Sequence, residues 1–204
     1  MDPALQGHWD SAYDRLGEAA SWYQSEPVTS IEMIEELQVS PDCPVLDVGG
    51  GSSALAGRLV ERGFTDVWVL DISHTALAAS AARNGPGLTL VCEDVLDWTP
   101  ERRYCLWHDR AVLHFLTNSD DRNRYLSVMS AAVGPGGGVV IAAFAPDGPE
   151  YCSGLPVTRY SAEAIGEFLG DDFAVVAERR ELHTTPAGAV QPFTWVSARR
   201  TIPT

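Results

Sequence analysis

Short apolar runs bounded by glycine and proline alternate with stretches of helical spacing along most of this chain. Val28, Ile31, Ile34 and Leu37 recur every three residues, which predicts a helix over 26–37. Pro27 suits its first turn, Glu26 complements the positive helix end, and Pro41 and Pro44 stop it. Residues 44–48 read as a buried strand ending in Gly49-Gly50-Gly51, and 52–62 as a helix closed by Gly63. The pairing repeats with a strand over 67–70 that ends at Asp71 and an alanine-rich helix over 75–83. Strands follow at 88–92 and 104–107, a helix at 120–133 closed by Gly134-Pro135-Gly136-Gly137, and a fifth strand at 139–144.

Near-continuous apolar strands separated by helices predict an α/β fold with a doubly wound parallel sheet covered on both faces. After Ala145 the pattern changes. A Pro/Gly-rich loop over 146–156 leads to a helix over 161–169, then to two strand-like runs at 173–182 and 190–199. The turn Thr184-Thr185-Pro186-Ala187-Gly188 between them makes the pair an antiparallel C-terminal hairpin, bringing the sheet to seven strands. No repeat or linker interrupts the chain, so 1–204 reads as one domain: an N-terminal segment (1–40), a core (41–145) and a C-terminal part (146–204).

Composition narrows the function. With 45% hydrophobic and 21% charged residues, the 204-residue chain can bury a core of its own. No apolar run approaches the roughly 18 residues that cross a bilayer, and Met1 to Gln6 lacks the basic start and apolar stretch of an export signal. The expectation is a soluble cytoplasmic protein without a membrane partner. Acidic residues number 28 against 14 basic ones, for a net charge of −14, which disfavours a nucleic-acid partner. Every basic residue is arginine; the absence of lysine removes Schiff-base chemistry and a Walker-type phosphate loop. Cys43, Cys92, Cys105 and Cys152 lack metal-site spacing and read as buried reduced thiols, with Cys152, in a loop, the one candidate for reactivity.

In doubly wound sheets ligands bind beyond the C-terminal strand ends. Asp47-Val48-Gly49-Gly50-Gly51-Ser52-Ser53 lies at such an end, where glycine lets backbone approach a ligand. Asp71 ends the next strand, placed to accept hydrogen bonds from both hydroxyls of a ribose, and Glu93-Asp94 ends the third. Gly49, Gly51 and Ala54 also fit GxGxxA, so spacing by itself leaves a nicotinamide dinucleotide open.

The stretches VLDVGGGSS, VLDIS, CEDVLDW, LWHDRAVLHFL and GPGGGVVI together resemble the class I S-adenosylmethionine-dependent methyltransferases, across roughly Trp22 to Phe144. The N-terminal His8-Trp9-Asp10, Tyr13 and Ser21-Trp22-Tyr23-Gln24 are similar to a small subgroup that includes bacterial small-molecule enzymes and resembles eukaryotic protein-lysine methyltransferases. The resemblance implies S-adenosylmethionine as cofactor and S-adenosylhomocysteine as product. It implies that Asp47, Gly49, Gly50 and Gly51 pass the methionine part, that Asp71 and Ile72 meet the ribose, and that Asp94 and Val95 meet the adenine. His108 would lie near the methyl group, with Tyr13, Trp22, Tyr23 and Gln24 as a lid. Lysine-methylating relatives carry Asp-Lys-Gly where this chain has Asp109-Arg110-Ala111, which favours a small-molecule acceptor at O, N or S; a protein acceptor and a non-catalytic sensor stand as alternatives.

Candidate bases are His108, Asp109 and His114, all placed after the fourth strand. Each has a second reading: His108 holding the cofactor loop, Asp109 capping the next turn and pairing with Arg110, His114 packing beside Phe115. Tyr151 to Leu155, with Arg159 and Tyr160, are candidates for the acceptor wall, Arg159 as a carboxylate binder or in a surface ion pair. His183 reaches the site only if the hairpin curls inward.

Overall fold

The computed structural model describes residues 2–202. Its first half holds helices α1 (Pro3–Leu16) and α2 (Val28–Glu36), then strand β1 (Val45–Val48), α3 (Leu55–Glu61), β2 (Val67–Asp71), α4 (His74–Asn84) and β3 (Leu88–Cys92). The second half holds β4 (Tyr104–Arg110), α5 (Ser119–Ala132), β5 (Val133–Phe144), the short β6 (Tyr151–Cys152) and β7 (Leu155–Pro156), α6 (Ala162–Leu169), β8 (Phe173–Thr184) and β9 (Val190–Arg200). Seven strands form one sheet in the order β3-β2-β1-β4-β5-β9-β8. The first five are parallel, and β9 runs antiparallel to both β5 and β8. The chain steps outward from β1 to β3, then returns to lay β4 on the other side of β1. That reversal leaves a crevice beyond the C-terminal ends of β1 and β4.

All four residues of β1 are buried because helices cover both faces. Leu46 and Val48 pack with Trp107, Tyr125, Met129 and Ile165 on the α5/α6 side. Val45 packs with Leu106, Val140, Ile31 and Leu59 on the α2/α3 side. Helix starts follow short polar side chains that accept an otherwise unpaired N–H: Ser73 from Ala76 N, Asn118 from Asp121 N and Ser161 from Ala164 N.

Several boundaries differ from the expectation. The helix after the glycine turn begins at Leu55 rather than 52, because residues 49–54 make the turn itself. β4 continues to Arg110, held in register between β1 and β5. β5 begins at Val133 and passes through the glycines, with a register shift between its Tyr104 and Leu106 partners. The N-terminal segment, read only as an aromatic cluster, forms α1 from Pro3, with Asp2 accepting from Ala4 N.

The reading of four reduced thiols is corrected. Cys43 and Cys105 form a disulfide with Cα atoms 5.8 Å apart. Cys105 N donates to Pro44 O across the β1–β4 pair, so two residues 62 positions apart in sequence become neighbours only once β4 joins β1. Cys92 and Cys152 are free; Cys152 is buried, and burial pushes its thiol up to about 12, which removes the expected reactivity. Among the described residues no helix is long and apolar enough to cross a membrane, and no group of three or more His, Cys, Asp or Glu is arranged to hold a metal ion.

Candidate functional site

A cleft of about 370 Å³ opens at the C-terminal ends of β1, β2 and β4, under α1 and the segment 20–27. The glycine turn forms its floor. Gly49 N donates to Leu70 O at 2.7 Å, and Gly49 has φ +63. A Cβ at Gly49 would overlap the Val112 methyl, and one at Gly51 (φ +49) would overlap the Tyr13 hydroxyl. Both positions need glycine twice over, for backbone and for space. Gly49→Ala is expected to destabilise the fold by about 2–4 kcal/mol through left-handed strain and overpacking. Adding Val112→Ala should recover the overpacking part, as urea denaturation midpoints of the single and double variants would reveal.

Carboxylates line one side. Asp71, buried at the end of β2, accepts from Ser73 N at 2.8 Å. Burial raises its carboxyl to about 7, with nearby Asp47 and Asp10 adding to the rise. Asp10, from α1, accepts from Ser73 Oγ at 2.6 Å and Thr75 N at 3.0 Å, tying α1 to the start of α4. These bonds hold its carboxyl below the usual range. Asp94 accepts from Leu96 N at 2.9 Å and, with Val95 and Ile72, borders the far end of the cleft.

Asp47 and His108 are register partners on β1 and β4. Strand alternation therefore points both to the α2 side, where His108 Nδ1 lies 2.7 Å from Asp47 Oδ1 and Nε2 lies 3.0 Å from Ser30 Oγ. All three are buried, and both ring nitrogens of His108 are engaged. The ring sits inside β4 rather than after it, as a brace between α2 and the glycine turn. His108→Ala is therefore expected to cost about 2–3 kcal/mol of stability by leaving Asp47 without its buried partner. The loss of ligand affinity should exceed any loss of turnover at saturation, reversing what its sequence position suggests.

The other two candidate bases lie outside the cleft lining. Asp109 points to the opposite face of β4. It accepts from Val112 N at 2.7 Å, Leu113 N at 3.0 Å and the Tyr125 hydroxyl at 2.5 Å, and Tyr125 in turn accepts from Trp107 Nε1. It caps the one-turn helix Leu113–Phe115 and makes no pair with Arg110. Burial raises its carboxyl to about 6 against those hydrogen bonds. His114 is fully buried between Phe115 and Phe144, and neither ring nitrogen has a partner. Burial, with Arg110 nearby, lowers it to about 3.

Trp9, Tyr13 and Trp22 of the N-terminal segment line the cleft and contact one another. Trp9 contacts Trp22 and Phe115 with ring centroids 5.8 and 5.1 Å apart, and Tyr13 contacts Trp22 at 5.5 Å. The segment is anchored to the C-terminal hairpin: Gln24 Nε2 donates to Glu181 Oε1 at 2.7 Å, and His183 Nε2 donates to Ser21 O at 2.7 Å. His183 thus reaches the covering segment rather than the cleft. Of the expected acceptor wall, Cys152 and Leu155 border the cleft, joined there by Pro156, while Tyr151 is exposed and Tyr160 is buried in the core. Arg159 pairs with Glu150 at 3.2 Å on the surface. Ser30, Asp10 and Arg110 are the site residues that sequence reasoning missed. Only Asp10 carried a signal, within the His8-Trp9-Asp10 stretch.

The sheet order, with its antiparallel C-terminal hairpin, and the glycine turn give a Rossmann-like fold of the kind seen in solved S-adenosylmethionine-dependent methyltransferases. Residues 45–137 match a family model described as a methyltransferase domain. The structure solved for conversion of a disulfide bond into a thioacetal group during echinomycin biosynthesis superposes with a TM-score of 0.74 at 19% identity, covering 96% of this chain and 93% of that one. The 1,6-didemethyltoxoflavin-N1-methyltransferase of Burkholderia thailandensis, solved with its substrate and S-adenosylhomocysteine, superposes at 0.70 with 20% identity over 98% and 85% of the two chains. EEF1A lysine methyltransferase 2 of Mus musculus is 29% identical over 84 residues, 37% of this chain; the match spans about a third (34%) of that curated relative's length.

Proposed function

We propose that the protein is an S-adenosylmethionine-dependent methyltransferase that methylates an O, N or S nucleophile of a small molecule. The observation that carries this reading is the buried Asp71 carboxyl at the mouth of the glycine turn. A carboxyl offers more acceptor sites than the Ser73 and Gly51 N–H groups fill, and a ribose diol supplies further donors. Bound S-adenosylmethionine supplies a methyl group already activated on a sulfonium. Gly49 and Gly50 border the methionine end of the cleft, Asp94 and Val95 border the adenine end, and the faces of Tyr13 and Trp22 suit a cation. With both His108 nitrogens engaged, and Asp109 and His114 outside the cleft lining, the chain's contribution is to position the nucleophile and exclude water.

In this reading residues 1–40 act as a lid, 41–145 hold the cofactor and 146–204 complete the acceptor side. A cleft covered by α1 and residues 20–27 suits a small acceptor. The mouse relative favours a protein lysine as the second reading. Calorimetry with S-adenosylmethionine, S-adenosylhomocysteine and NAD is the first test, with binding of the first two alone expected. Turnover to S-adenosylhomocysteine with small nucleophiles supports the small-molecule acceptor, and labelling of proteins in an extract would move the assignment to the second reading.

A further inference from the structure

Arg110 ends β4 on the same face as His108 and borders the cleft. Its Nη1 donates to Trp22 O at 2.9 Å, and its guanidinium lies over the Phe193 ring, 4.9 Å from the centroid. Its Nε and Nη2 are sealed from water and have no partner. Other arginines pair with carboxylates, as Arg83 does with Glu18 at 2.7 Å and Arg124 with Asp97 at 2.8 Å, or donate to backbone carbonyls, as Arg103 does to Ser130 O at 2.9 Å. Twice as many acids as arginines are available, yet none is placed on this one.

Among the described residues, none of the groups facing Arg110 pairs with its free Nε or Nη2. The Cys152 thiol is held up at about 12, and His114 and His183 are both shifted down, toward neutrality, by burial and by Arg110 itself. The Glu181 and Asp47 carboxylates favour the charged guanidinium from a distance, but Glu181 is hydrogen-bonded to Gln24 and Trp195, and Asp47 to His108, rather than to Arg110. A guanidinium stripped of water without an anion costs several kcal/mol, a cost that a bound anion offsets. Burial accordingly weakens its hold on the proton, although arginine stays charged.

Resting on the methyltransferase reading, we propose that Arg110 is the anchor for a carboxylate of the methyl acceptor, its guanidinium turning from its shielded position into the cleft to present Nε and Nη2, and that the acceptor is an apolar, ring-bearing acid. Arg110 sits toward Phe193 on β9 and Cys152 on β6, whereas Asp71, Glu93 and Asp94 lie at the ends of β2 and β3 on the opposite side of β1. Trp22 and Phe193 touch Arg110, and the cleft lining also carries the apolar Phe115, Leu155 and Pro156. The cofactor has a carboxylate of its own, so the test separates the two sources.

Protein saturated with S-adenosylhomocysteine is titrated with benzoate, hydrocinnamate and indole-3-acetate, each against its primary amide. The expected result is binding of at least one acid about tenfold or more tighter than its amide, since a bidentate charge-assisted contact is lost in the amide. Arg110→Gln should erase that difference while changing S-adenosylhomocysteine affinity less than about threefold. If the variant does not fold, the wild-type Arg110 Nε–H resonance serves instead, and it should shift on addition of the acid and not of the amide. Equal binding of acids and amides, or no acid binding at about 10 mM, overturns the inference. A loss of S-adenosylhomocysteine affinity beyond about tenfold in Arg110→Gln also overturns it, by assigning Arg110 to the cofactor's carboxylate. Failure of the wild type to bind S-adenosylhomocysteine at all would instead bring down the methyltransferase reading beneath it.

Discussion

Asp71→Asn is expected to weaken S-adenosylmethionine and S-adenosylhomocysteine binding about 100-fold while leaving the fold intact. Two hydrogen bonds to an ionised carboxylate are replaced by weaker ones to an amide, and bonds to charged groups contribute about 1.5–3 kcal/mol each. The pH dependence gives a second readout. The carboxyl of the ligand-free protein is raised to about 7 by burial, and ribose hydroxyls donate to its ionised form. Affinity should therefore fall as pH drops through about 7, and that fall should vanish in Asp71→Asn. Stability of the ligand-free protein runs the other way. A carboxyl whose folded pKa lies above its unfolded value stabilises the fold at low pH, and that stabilisation is lost as pH rises toward about 7. The variant should melt at a higher temperature than the wild type at pH 8 and match it near pH 4. Titration calorimetry and thermal melts across that range check both signs; a variant that binds normally removes Asp71 as the ribose acceptor.

Asp109→Ala is expected to be the most destabilising single change in the site region, at about 4 kcal/mol. It strands the Val112 and Leu113 N–H groups and the Tyr125 hydroxyl, three buried donors that Asp109 now accepts. Each unsatisfied group costs about 1–3 kcal/mol, less whatever local rearrangement recovers. Tyr125→Phe, which removes one of those donors but strands the buried Trp107 Nε1–H, should cost about 2 kcal/mol. Chemical denaturation of both variants tests the ranking. If Asp109 instead acted as a base on the substrate, Asp109→Ala would lose turnover with little change in midpoint.

Much of the architecture was legible because parallel strands covered on both faces leave near-continuous apolar runs, and the turns between them carry glycine. That Asp47, Gly49, Asp71 and Asp94 border the cleft was legible for the same reason: in this topology the residue at the C-terminal end of a strand faces the crevice. Boundaries were less so. Residues 133–138 are glycine-rich, which reads as a loop, yet β4 on one side draws them into the sheet, and Gly138 lies close to Leu37.

His108, Asp109 and Arg110 are consecutive in sequence and do three different things. Strand alternation sends His108 to Asp47 and Ser30, and Asp109 to the opposite face under α5. Arg110 returns to the cleft side, where it meets the covering segment through Trp22 O. Which neighbour each one finds depends on which strand lies beside β4, information that local spacing does not carry. By itself the chain's pattern of apolar runs, glycine turns and strand-end carboxylates determined the fold class and the row of acids along the crevice, because those follow from local periodicity and backbone sterics. Only the tertiary structure decided the Cys43–Cys105 bridge, the bracing of His108, the removal of Asp109 and His114 from the cleft and the unpaired state of Arg110. Each of these is a pairing across long sequence separation, set by the order in which strands lie side by side.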